Sequence, residues 1–329
     1  MSFLNNLLLK IKNFISIDER FIKRAAFTNS LRKDMNTKPS KEQIINQAFK
    51  FHSQGNISEA AKYYQYFITQ GFKDHRVFSN YGDILRNLGK LKDAEKFTRK
   101  AIKLVPNFAD AHYNLGGILI DLGELQEAEV STRKAIKLVP NFADAHYNLA
   151  FILNAKNNAA DAFDSFLKTY EINPEFPNIL QTISIFLKEA NPALLKYSKL
   201  NKILIILLEN NNIPHRLLFR SFNFLYGKTL INIIKDKSIN FSTIELFKNE
   251  KIIINALKKI IFCDINLETS LTRVRENLCH QIANNQDIIS VDSLEFIFAL
   301  GQQCFNNEYI YSLTEDEKVS IQTIIKRCQ

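Results

Sequence analysis

Glycine is scarce in this chain, with nine in 329 residues, and their positions exclude more than their number does. Gly55, Gly71, Gly82, Gly89, Gly116, Gly117, Gly123, Gly227 and Gly301 form no G-x-G-x-x-G, no P-loop and no glycine-rich turn of the kind a class I methyltransferase uses. A backbone that approaches a phosphate or a cofactor needs closely spaced glycines after a strand, so no nucleotide or S-adenosylmethionine site and no cofactor are expected. The chain also lacks H-E-x-x-H and the G-x-S-x-G elbow, and no catalytic residue is assigned. No enzyme activity is expected.

Cysteine is equally sparse. Cys263, Cys279, Cys304 and Cys328 all lie in the last third at irregular spacings, without C-x-x-C. The adjacent Cys279-His280 pair points in two directions from a helix, so no metal site and no disulfide framework are expected, only reduced thiols of a cytoplasmic protein. Long apolar runs are missing too. Leu7-Leu8-Leu9 is broken by Lys10 and Lys12, and Ile203 to Leu208 is far too short to cross a bilayer.

The formal net charge of +9 is not a nucleic-acid signal, because residues 1–40 alone carry eight basic and three acidic side chains. Residues 41–176 carry 17 and 16, and residues 177–329 carry 18 and 15, so neither region presents a single-sign field. No nucleic-acid partner is expected.

What is present is a repeat. Thr98 to Leu115 reads TRKAIKLVPNFADAHYNL, and Thr132 to Leu149 is identical at an offset of 34 residues. Extending the offset aligns Pro106, Pro140 and Pro174, then Gly82, Gly116 and Ala150, then Gly89, Gly123 and Asn157. Four units follow, 41–74, 75–108, 109–142 and 143–176. A 34-residue period with these landmarks resembles the tetratricopeptide repeat (TPR) family, which implies an all-α helix-turn-helix solenoid. Each landmark has a mechanical reason. Two antiparallel helices that cross closely need small residues at the eighth and twentieth places, here Ala48 and Ala60, Gly82 and Ala94, Gly116 and Ala128, Ala150 and Ala162. The fifteenth place suits a left-handed residue, and proline at the thirty-second stops the second helix. His112 and His146 stand where the family puts a large packing residue.

Three regions are therefore expected: a basic amphipathic segment over 1–40, the four repeats over 41–176, and a helical region over 177–329. The first has Phe3, Leu4, Leu7, Leu8, Ile11, Phe14 and Ile15 on one face, read as a capping helix or an unpacked tail, with membrane-surface contact of residues 1–20 as the lesser alternative. In the last region, helices are expected over 179–189, 200–209, 217–226, 252–261 and 291–304, with Thr314 and Glu317 as a capping box; β-branched residues leave room for one or two strands. Ile213 to Phe222 and Ala299 to Glu317 resemble the helical linker of bacterial TPR–methyltransferase fusions. In that family a catalytic domain follows, whereas here the chain stops at Gln329, so a non-catalytic or truncated relative is the alternative reading.

The sixth place of every unit is asparagine: Asn46, Asn80, Asn114 and Asn148. The TPR resemblance puts first helices on a concave face, where a row of amides would grip a peptide backbone through paired donor and acceptor. The TPR array of O-linked N-acetylglucosamine transferases, which this ladder resembles, uses asparagines in that way. Helix packing is the equally weighted alternative. Asp110 and Asp144 at the second place, with Tyr113 and Tyr147 at the fifth, would add acidic and aromatic strips suited to a polar or basic extended peptide. The expectation is a protein-interaction adaptor whose partner is a protein or peptide, with no oligomeric state inferred.

Overall fold

The computed structural model describes residues 39–235, 250–284, 291–306 and 315–328. The amphipathic stretch within residues 1–38 and Thr314 of the expected capping box lie outside these residues. Among the described residues the regular elements are all helical, with no strand. The chain forms two compact units, Met1–Val139 and Pro140–Gln329.

Unit 1 contains α1 (Lys41–Ser53), α2 (Ile57–Thr69), α3 (His75–Asn87), α4 (Leu91–Leu104), α5 (Ala109–Asp121) and α6 (Leu125–Leu138). They pack in sequential pairs, α1 on α2, α3 on α4 and α5 on α6, and α3 also touches α5. In that pair a first helix neighbours a first helix, as in a TPR. Local sequence fixes the helix ends. Ser40 and Gln43 form a reciprocal capping box at the start of α1, and the Asp74 carboxylate accepts from the amides of Arg76 and Val77 at the start of α3. The turn between paired helices is left-handed in all four repeats, with φ of 72° at Gly55, 71° at Gly89, 78° at Gly123 and 60° at Asn157. Asparagine is the residue after glycine that best tolerates that conformation.

Helix pairs meet where the small residues stand. Ala48, Ala60, Ala94 and Ala128 are fully buried in unit 1, as are Ala150 and Ala162 in unit 2. A methyl group on Gly82 would run into Thr98 Oγ1 and lie 3.2 Å from the Ala94 carbonyl oxygen. At Gly116 the same role falls to Thr132 Oγ1. The core of the first repeat is built from Ile44, Ile45, Tyr64 and Phe67, with Val77 of α3 packed into it.

Unit 2 begins with α7 (Ala143–Ala155) and α8 (Ala159–Ile172), the fourth repeat. Phe163 of α8 stacks on Phe186 of α9 (Ile179–Glu189) at 6.1 Å, and Phe166 meets the same ring at 5.5 Å, so aromatic packing carries the helical layer past the last repeat. Next come α10 (Tyr197–Glu209), α11 (Phe219–Phe222), α12 (Lys228–Lys235), α13 (Lys251–Lys259), α14 (Ile265–Asn284), α15 (Val291–Asn306) and α16 (Glu315–Cys328).

The single helix expected over 217–226 is instead a 3₁₀ turn (His215–Leu218), α11, and a π turn (Asn223–Gly227). Phe222 stacks on Phe262 at 5.3 Å there, and tertiary aromatic packing decides the backbone where periodicity alone suggested an unbroken helix. The expected room for strands is unused. The β-branched run Ile252, Ile253, Ile254 is buried within helical α13. The 20-residue α14 is absent from the expectations, although Leu267, Leu271, Val274 and Leu278 recur at helical spacing and are buried. Lys259 at the end of α13 donates to the Leu208 carbonyl at 2.6 Å and to Asn211 Oδ1 at 2.8 Å, placing a cation at the carboxyl end of α10.

Candidate functional site

The first helices of unit 1 place Asn46, Asn80 and Asn114 at equivalent points, one per repeat. Asn46 is exposed, and Asn80 and Asn114 are half-buried. The two inner amides reach back to the preceding repeat. Asn80 Nδ2 donates to the Tyr64 hydroxyl at 3.2 Å, and Asn114 Nδ2 donates to Ser79 Oγ at 3.0 Å. Toward the described residues each keeps its side-chain carbonyl and a second N–H for other use.

Tyr64 links this row to the interior. Its ring is fully buried on α2, and its oxygen lies 3.1 Å from His52 Nδ1. The phenol oxygen thus takes the Asn80 N–H on one side and shares a hydrogen bond with His52 Nδ1 on the other. Burial pushes the Tyr64 hydroxyl up to about 12, against the opposing effect of the Asn80 hydrogen bond, so the chain His52–Tyr64–Asn80 keeps its proton. Beside it, Phe49, His52, Ser53 and Asn80 line a hollow of about 270 Å³. Arg76 closes over the Phe49 ring at 5.3 Å and pairs with Asp74 at 3.0 Å. Burial alone would raise the Asp74 carboxyl, but Arg76 and the two capping amides outweigh it and hold it below the usual carboxylate range.

Further along, Arg86 of α3 forks onto Asp121 of α5, with Nε 2.6 Å from Oδ2 and a terminal nitrogen 3.3 Å from Oδ1. Its guanidinium occupies the space that a side chain at residue 117 would fill, so Gly117 is its seat. Asp110 is exposed at the start of α5, with Tyr113 half-buried one turn on.

In unit 2 the equivalent places lie on α7. Asp144 is exposed. Tyr147 is held in an aromatic cluster, 4.9 Å from both Phe151 and Phe176 and 6.0 Å from Phe166, with its hydroxyl 3.4 Å from Thr182 Oγ1. The Asn148 Nδ2 atom is buried and has no hydrogen-bond partner among the described residues.

His112 and His146 have a specific task. His112 Nε2 donates to the Pro106 carbonyl at 2.8 Å and His146 Nε2 to the Pro140 carbonyl at 3.0 Å, so each imidazole ties down the loop that enters its repeat. Among the described residues no group of three or more histidine, cysteine or acidic side chains could hold a metal, and no helix is long and apolar enough to cross a membrane. Cys263 and Cys279 form no disulfide among the described residues. Sequence reasoning missed Phe49, His52, Ser53 and Tyr64; the one available signal was a tyrosine at the twenty-fourth place, where the next two repeats have Thr98 and Thr132.

The fold and this layered geometry define a helical-repeat scaffold of the TPR type. Residues 75–108 and 109–142 each match a tetratricopeptide repeat model. Solved structures with a similar course include residues 41 to the end of MamA from Desulfovibrio magneticus RS-1, at 19% identity, TM-score 0.43, over 52% of this chain and 97% of that one. YrrB, described as a TPR protein with an unusual peptide-binding site, is 22% identical with TM-score 0.41 over 51% of this chain and 84% of its own. TTC0263, a TPR protein of Thermus thermophilus, is 13% identical with TM-score 0.41 over 50% and 90%. The search of curated proteins gave no match.

Proposed function

We propose that this protein is an adaptor that holds an extended segment of a partner protein against the first-helix layer of its repeats, without catalysing a reaction. In unit 1 the proposed surface comprises Asn46, Asn80 and Asn114 with Asp110 and Tyr113. Asp144, Tyr147 and Asn148 form the corresponding surface of unit 2. The observation that carries the reading is the hollow at Asn80. There an amide with a carbonyl and an N–H to spare stands beside an aromatic wall, Phe49, and an imidazole, His52. A peptide backbone offers the matching N–H and C=O, and a side chain would enter the hollow. Exposed Asp110 favours a polar or basic segment.

The experiment is a pull-down with the full chain, identification of the bound protein, and titration of that protein against a variant with Asn46, Asn80 and Asn114 replaced by Ala. A neutral hydrogen bond contributes roughly 0.5–1.5 kcal/mol net, so three lost grips should weaken binding by at least about tenfold. Asn80 and Asn114 also bond between repeats, so a modest loss of stability accompanies the change. Unaltered affinity in the triple variant would show that the asparagines serve packing alone. The companion variant Tyr113→Ala with Tyr147→Ala reports on side-chain contacts at the same places.

A further inference from the structure

The second-helix layer of unit 1 carries a hollow that the peptide-holding reading does not use. It measures about 450 Å³, within the roughly 300–1,000 Å³ of ligand pockets, and lies where α4, α5 and α6 meet. Leu115 and Ser131, 3% and 6% exposed, form its floor. Ile102 and the 63% exposed Val130 form its apolar walls.

Charge around it is unevenly balanced. Arg99 and Glu127 also line the hollow and pair with each other at 2.7 Å, and Arg99 takes Glu95 as well at 2.8 Å, so the one lining carboxylate is already engaged. Lys103 forms no hydrogen bond or ion pair with the described residues, and Lys134 meets only the neutral Asn107 Oδ1 at 3.4 Å. Two cations without counter-charges therefore flank apolar walls. A bare anion would satisfy Lys103 and Lys134 but leave Ile102 and Val130 wet. A wholly apolar group would fill the hollow and leave both ammonium groups without anions.

We propose that this hollow is a second binding site, separate from the asparagine places, for a short acidic segment of a partner protein bearing one aliphatic side chain. The side chain sits on Leu115 between Ile102 and Val130, and flanking carboxylates meet Lys103 and Lys134. The adaptor thereby carries two surfaces of different chemistry, one on each helix layer.

The test uses the full chain and a fluorescein-labelled peptide, Gly-Glu-Glu-Leu-Glu-Glu, followed by anisotropy. Wild type is expected to bind, and more weakly as salt rises, because the lysines are at the surface. Lys103→Glu with Lys134→Glu should weaken binding at least about tenfold, and the milder pair Lys103→Gln with Lys134→Gln should act in the same direction with the helical circular dichroism unchanged. Replacing the probe's leucine by glycine should also lower affinity by about tenfold, since the aliphatic side chain that covers Ile102 and Val130 is lost. Asn80→Ala with Asn114→Ala should leave binding as in wild type, which separates this site from the asparagine surface. The proposal is overturned by no binding up to about 1 mM, the weak end of specific association. It is equally overturned by lysine variants that bind as wild type does, by equal affinity for a lysine version of the probe, or by loss of binding in the asparagine variant.

Discussion

Gly116 and Gly117 are neighbours in α5, yet the same substitution should have opposite consequences. A methyl group at residue 116 would run into Thr132 Oγ1, with Thr132 Cβ and the Ala128 carbonyl oxygen both 3.5 Å away. Thr132 is fully buried and its branched side chain has few rotamers, so relieving the collision means turning that side chain against close-packed neighbours or moving α6. Overpacking of this sort costs about 1–3 kcal/mol, and the helix gain of alanine over glycine returns about 1 kcal/mol, leaving Gly116→Ala destabilised by about 0–2 kcal/mol. A methyl group at 117 meets only the guanidinium end of Arg86, a long flexible side chain that can swing aside. Its ion pair with Asp121 is partly exposed and contributes about 0–1 kcal/mol, so the helix gain compensates and Gly117→Ala should be neutral or slightly stabilising. Urea unfolding of the full chain, followed by far-UV circular dichroism, reads both. Thr132→Ala supplies the decisive control: it frees the space the methyl needs, so the double variant Gly116→Ala with Thr132→Ala should be more stable than the sum of the singles, with a coupling of about 0.5–3 kcal/mol. Additive singles, or a Gly117→Ala variant less stable than Gly116→Ala, would refute the assignment of residue 116 as the helix crossing.

Three further outcomes follow from the same geometry. Tyr64→Phe should lose about 1 kcal/mol at neutral pH, because His52 Nδ1 and Asn80 Nδ2 lose their shared partner. The folded Tyr64 hydroxyl lies near 12 against an ordinary 10.0, so wild type keeps this stabilisation below about pH 10 and loses it as pH rises toward 12; denaturation curves of the two proteins should converge over that window. Asp74→Ala should cost about 1 kcal/mol through loss of the α3 cap. Since the folded Asp74 carboxyl lies below its ordinary 3.8, its contribution is complete above that value and vanishes as pH falls through the lowered one, so the gap between wild type and variant should close in strong acid. Ala128→Leu should destabilise by about 1–3 kcal/mol, because Ala128 is fully buried at the crossing of α5 and α6; an unchanged urea midpoint would contradict that placement.

The repeat architecture was legible in the sequence because its determinants are local. A small residue at a crossing, a left-handed turn at Gly89 or Asn157 and a proline after a second helix act within one 34-residue unit, and repetition prints the crossing and the turn four times and the proline three times. Helices after residue 176 were legible in part: α9 is read with its observed ends, while the stretch at 215–227 breaks into three helical types under packing that joins Phe222 to Phe262 across the sequence. The asparagines were legible as a row of like residues at like places. Their bonding was not, because it depends on which side chains the preceding repeat happens to offer, a buried phenol to Asn80 and a serine hydroxyl to Asn114. The same holds for Gly117, which as a letter is a weak helix residue and in the fold is the seat of Arg86. Period, turn and crossing are properties of one segment of chain and are written in it; the hollows at Asn80 and at Lys103 exist only where helices from different repeats meet, and tertiary packing alone decides their shape and charge.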